Sequence, residues 1–202
     1  MKISLKNNWN EVTLSEFEQI QQILAADISE DYKLVHLLSV LSGESPDTFL
    51  NMPLSELMQL NKALSFFEVD IPTVKVKNSY TINGHKYTLK ANIPELTTSQ
   101  FIDYSNYCAN NMSAPDVLSV FLIPKGHKYN DGYSIDEVKR DVLDMSIVDI
   151  QAISFFIRKQ SALFLMIIQH SLTEQMKEMG MSNRQIESDL LPITNLVYSL
   201  IV

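Results

Sequence analysis

Two short stretches, VTLSEF from Val12 and LTTSQF from Leu96, carry nearly the same pattern 84 positions apart. In each, a threonine (Thr13, Thr97) is followed three residues later by a side chain able to reach back (Glu16, Gln100). That spacing is a capping box: the hydroxyl accepts from an early helical N–H, and the third residue on accepts from the backbone N–H of the cap. Apolar residues then recur at helical spacing, as Phe17, Ile20, Ile23 and Leu24 in the first stretch and as Phe101, Tyr104, Tyr107 and Cys108 in the second. The chain must therefore open two helices in the same way.

The parallel continues. Leu38-Ser39-Val40-Leu41 matches Leu118-Ser119-Val120-Phe121 at an offset of 80, and LNMPLSELMQL from Leu50 matches LDMSIVDIQAI from Leu143 at an offset of 93. The order of blocks is kept and only the connectors change length, which predicts two copies of one helical unit. Between them, Asn83-Gly84 flanked by Tyr80, Ile82, Tyr87 and Leu89 is a two-residue hairpin signal, because both central positions of a type I′ turn require positive φ. Ile3 and Leu5, alternating with polar neighbours before Trp9, read as a vestige of the same hairpin ahead of the first copy. The expected fold is mainly α with a small β-hairpin (α+β): two tandem copies of a three-helix unit plus a long C-terminal helical extension. The boundaries fall at 1–72 for the first repeat, 73–160 for the hairpin and second repeat, and 161–202 for the extension.

No Pro or Gly interrupts Ile147 to Met179, and Gly180 then supplies a C-terminal stop, giving a helix of roughly 50 Å. Its stretch from Ala162 to Ile168 is apolar on every side and needs neighbours on every side. Ser182 with Gln185 predicts one more capped helix, which Pro192 is expected to break or kink. Two apolar segments are the candidate protein interface: Leu163, Leu165, Met166 and Ile168 in the long helix, with Leu196, Val197, Leu200 and Ile201 at the C-terminus. The alternative is that the C-terminal segment folds back over the helix within one chain.

Composition narrows the function classes. Sixteen basic against 24 acidic side chains give a net charge of −8, which opposes binding to nucleic acid through its phosphates. The acidity is concentrated in residues 1–72, with 4 basic and 11 acidic residues, whereas residues 73–202 hold 12 and 13. An acidic block reads either as solvated surface or as a face for a basic partner. The single cysteine, Cys108, excludes an intramolecular disulfide and, on the stripe of its helix, reads as a small buried hydrophobe. MKISLKNNWN has no apolar run of the signal-peptide kind, and Ala162 to Ile168 is far shorter than the roughly 20 residues that span a bilayer, so neither a leader nor a membrane span is expected.

Catalytic and ligand-binding patterns are missing. The four histidines, His36, His85, His127 and His170, lack metal-ligand spacing. HKYNDGYSIDEV, from His127, would place His127, Tyr129 and Val138 at calcium-ligand positions, so it reads as a turn on Asn130-Asp131-Gly132. Carboxylate pairs such as Glu30-Asp31 and Asp136-Glu137 lie in polar connectors or first turns, where they read as solvation or helix-dipole charges and not as acid-base pairs. No catalytic residue, cofactor site or metal site is expected, and the chain reads as a non-enzyme.

The strand pair YTINGHKYTLK, the T-x-S-x-F helix openings, the helix LLSVLSG and the introductions NMPLSEL and DMSIVDI together resemble the small tail-assembly-chaperone-like proteins of tailed bacteriophages. They resemble still more the structural-region proteins of phages infecting Bacteroidetes, including the crAss-like phages. The resemblance spans about Ile3 to Lys159. It implies a small, acidic, helical, non-enzymatic protein acting by contact with other phage structural proteins, in the bacterial host cytoplasm during assembly and then in the virion. The duplication, the long helix and the apolar C-terminus depart from a simple chaperone. They favour a permanent place in a homo-oligomer or ring, as a portal, neck or tail component or an internal cargo protein. The competing reading is a transient tail-assembly chaperone that is not retained in the virion.

Overall fold

The computed structural model describes residues 3–201, the last six of them by backbone alone. The first half is helical: α1 (Leu14–Ala25), α2 (Glu30–Ser42), α3 (Pro46–Leu50) and α4 (Leu54–Asn61), followed by a 3-10 segment over Lys62–Glu68. Strands β1 (Ser79–Ile82) and β2 (His85–Leu89) come next, then α5 (Thr98–Ala109), α6 (Ala114–Phe121), β3 (Leu122–Pro124), α7 (Ile135–Leu143), α8 (Ile147–Glu178) and α9 (Asn183–Ile201). The molecule is mainly helical with one small antiparallel sheet in the order β1-β2-β3.

Both capping boxes form. Thr13 and Thr97 each accept from the third helical N–H, while Glu16 and Gln100 accept from the N–H of the cap, and the two helices that follow are each 12 residues long. The hairpin turns at Asn83 and Gly84, both at positive φ, with Tyr80 opposite Tyr87 and Ile82 opposite His85. The sequence pattern missed the third strand. Leu122 to Pro124 follows α6 directly; Ile123 precedes a proline and is driven out of the helical region, and the segment pairs with β2 through Thr88–Ile123 and Leu89–Leu122.

Two further helices lie within the stretches where three-helix units were expected. The pattern passed over α3, a five-residue turn begun by Ser45 and Pro46, and α7, which it left in a polar connector. The connector does carry a helical signal: Ile135, Val138 and Val142 share a face, after Ser134 and two carboxylates in the first turn.

One core takes side chains from both halves: Val12, Leu14, Ile20 and Leu41 from the first, Tyr80 and Tyr87 from the sheet, and Phe121, Val142, Ile150 and Ile153 from the second. A smaller cluster of Val35, Leu38, Phe49 and Leu57 closes α2 to α4. The halves are stitched directly, because the caps of α1 and α8 form an antiparallel bridge between Thr13 and Ser146. Its flanking bonds run from the Leu14 N–H to the Met145 carbonyl and from the Ile147 N–H to the Val12 carbonyl, both 2.8 Å.

As expected, α8 is unbroken for 32 residues. Gly180, at φ +78°, ends it in a Schellman turn, with Gly180 N–H on the Lys177 carbonyl and Met181 N–H on the Met176 carbonyl. Ser182 and Gln185 then cap α9. Pro192 does not break α9; the helix runs through it, and the cost is one missing N–H opposite the exposed Ser188. α9 folds back along α8, with Gln169 Nε2 donating to Thr194 Oγ1 at 2.7 Å.

Candidate functional site

The N-terminal half of α8 is held in the core by Ile147, Ile150, Ile153 and Ile157. Beyond it the neighbours thin out. Ser161 is the last deep polar anchor, bonded to the Tyr104 hydroxyl at 2.8 Å and to the Ile157 carbonyl; burial pushes the Tyr104 pKa up to about 12. After Ala162, α9 packs against the C-terminal part of α8, where Ile186 and Leu190 are buried near Gln169, Thr173 and Lys177, while several apolar residues of the middle stretch stay exposed. Leu163 is 46% exposed, Met166 48% and Ile167 63%.

Of the sequence-predicted interface residues, Leu163 and Met166 therefore lie on an open apolar face. Leu165 and Ile168 are half-buried, Leu165 turning toward a mostly apolar cleft of about 320 Å³ beside Phe101, Cys108 and Phe164. The side chains of Leu196, Val197, Leu200 and Ile201 lie outside the described residues. The pattern left out Ile167, the most exposed of the group, although it sits within the apolar run.

Cys108 is exposed at the rim of this cleft, correcting the expectation of a buried thiol. α5 lies at the edge of the core and buries only Gln100 and Tyr104, so a stripe read from spacing alone overstates its burial. Partial burial still pushes the Cys108 pKa up, which keeps the thiol protonated and weakens it as a nucleophile.

By length and composition α8 is also a helix that could cross a membrane: its 18-residue window has a mean hydropathy of 1.2. The sequence expectation counted only uninterrupted apolar residues and missed this. One third of that window is buried inside the protein.

A second cluster was not foreseen. The buried Asp141 on α7 accepts from Tyr87 Oη and from Asn83 Nδ2 at 3.0 Å, and faces His85 Nδ1 at 2.8 Å. Burial alone would raise the Asp141 pKa, but the three partners outweigh it and hold the carboxyl below its ordinary value. The same contact raises His85, while burial, reinforced by the carboxylate, raises Tyr87. Asn83 also reaches Asp144 at 2.7 Å, and Lys77 reaches Asp149 on α8 at 2.9 Å. These contacts clamp both ends of the hairpin onto α7 and α8. A histidine oriented by a carboxylate is half of an acid-base device, yet each partner here is accounted for by fastening the hairpin turn. Among the described residues, no group of three or more His, Cys, Asp or Glu side chains is placed to hold a metal ion. Compared with known proteins, the chain matches no family model, no curated protein and no solved structure.

Proposed function

We propose that this protein is a non-catalytic component of a multi-copy bacteriophage assembly, acting through protein contact, and that the open face of α8 is one of its contact surfaces. The observation that carries the reading is the row Leu163, Met166 and Ile167, exposed beside an open apolar cleft on α8. Contiguous exposed apolar surface of this kind marks interaction sites in soluble proteins. The phage setting rests on the resemblance of the repeated helical unit, and permanence in the particle rests on the additions beyond that unit.

The tandem reading belongs to this proposal. Lys6 N–H bonds to the Leu41 carbonyl at 3.2 Å, and Lys90 N–H bonds to the Phe121 carbonyl at 2.8 Å. These are matching positions in the two copies: the segment leading into the first helix meets the end of the second. Ile20 and Tyr104, Leu38 and Leu118, and Leu41 and Phe121 are likewise buried in pairs. A duplicated unit gives one chain two related binding frames, of which the second is extended by α8 and α9.

Mass spectrometry of purified particles tests the reading. A virion component is present at fixed copy number, a transient chaperone is absent from mature particles but present in infected cells, and absence from both refutes the phage assignment.

A further inference from the structure

The chain carries two surfaces of opposite charge that do not meet within one molecule. The first is the tip where α1 turns into α2. Leu24, Ile28 and Tyr32 are exposed there, with the carboxylates of Asp27 and Asp31 exposed around them and that of Glu30 paired with Lys33 at 3.0 Å. The second lies across the sheet. Residues 73–94 and 122–130 contain six lysines and no Asp or Glu; Lys77 is paired with Asp149 on α8 and the hairpin turn rests on Asp141 and Asp144, which leaves Lys90 and Lys128 as the lysines that border a cleft on the other side of the sheet. All six lysines are exposed. The cleft opens between β2, β3 and the start of α5 and measures about 450 Å³, floored by Leu89 and Ile123 and bordered by Lys90, His127 and Lys128, with Glu95 its one carboxylate.

We propose that the acidic α1–α2 tip of one copy docks into the basic cleft of the next, so that the protein associates head to tail. The two surfaces are complementary in charge: an apolar centre flanked by Asp27 and Asp31 meets a cleft of mixed polar and apolar lining flanked by Lys90 and Lys128. Complementary charge of this sort steers encounter and fixes register, while the apolar centre supplies adhesion once water is excluded. A second copy is favoured over nucleic acid because the overall charge repels phosphate and the acidic counterpart is present on the chain itself. Because tip and cleft are different patches, the contact is heterologous and propagates into a ring or an open filament. The inference deepens the assembly reading, on which it rests for the supposition that many copies meet, by naming which surfaces join them.

The experiment uses the full chain and a charge swap. Light scattering after gel filtration should show concentration-dependent association at low salt that weakens about tenfold at high salt, as steered charged contacts do. D27K/D31K and K90E/K128E should each remain monomeric, with wild-type circular dichroism. Their equimolar mixture should associate again, since the basic tip of one now meets the acidic cleft of the other and the unaltered pair also matches. Repeating the series in an L163K/M166K background removes any association through α8. The proposal is overturned if the wild type stays monomeric at low salt, if either variant associates like the wild type, or if mixing restores nothing. It is also overturned, in favour of a nucleic-acid site, if K90E/K128E loses binding of a labelled oligonucleotide while self-association is unchanged. Absence from particles, by contrast, would remove the phage reading and leave this association standing.

Discussion

Asp141 is the residue on which the hairpin depends most. Replacing it with alanine leaves the buried Tyr87 hydroxyl without its acceptor, while the Asn83 amide keeps only Asp144, and should cost about 2 kcal/mol in urea denaturation. The pH response has two flanks. Asp141 is held below its ordinary pKa, so its contribution is present above about pH 4 and is lost as pH falls through the lowered value. His85 is raised, so its contribution is full below roughly pH 6.5 and is lost as pH rises through the raised value. Denaturation midpoints across pH should therefore crest between these limits, and His85→Gln should flatten the alkaline flank and shrink the acid one, since His85 helps to hold the Asp141 carboxyl down. None of this was legible in the sequence, where Asp141 is one carboxylate among many and its partners lie 54 and 56 positions away. The turn that delivers them was legible, because Asn83-Gly84 states its backbone requirement locally.

At the scale of elements, what could be read was what the chain encodes within one or two turns. The two capping boxes are of this kind, and Thr13→Ala and Thr97→Ala should each lower stability by about 1 kcal/mol, since each strands one early helical N–H. Equal losses in paired denaturation curves are the expected result; a loss at one site alone would separate the two helix starts energetically. The course of α8 was equally plain, because nothing in it interrupts a helix. By contrast α3 and β3 are short pieces made by tertiary contact, and β3 exists only because β2 offers it an edge. Pro192 shows the reverse case: a residue that discourages a helix is overridden where α9 packs along α8.

For the whole molecule, the hydrophobic pattern marked an apolar stretch of α8 but could not say which of its side chains the fold would cover. Only the fold separates Leu163 and Met166, which stay open, from Leu165 and Ile168, which are half-covered. On the proposed assembly role, L163K/M166K should leave circular dichroism and thermal melting near wild type and yet fail to incorporate into particles; unfolding of the isolated chain would show that this face is part of the fold instead. The bridge between Thr13 and Ser146 has a further consequence, for synthesis. Val12 and Leu14 have their resting place beside Met145 and Ile147, so the first helix must wait for more than half of the chain to leave the ribosome. At roughly 5–20 residues per second that interval is on the order of ten seconds, during which an apolar helix face stands uncovered in the cell. A fragment ending at residue 72 reproduces this nascent state, and its circular dichroism should show little cooperative folding until the remainder of the chain is supplied.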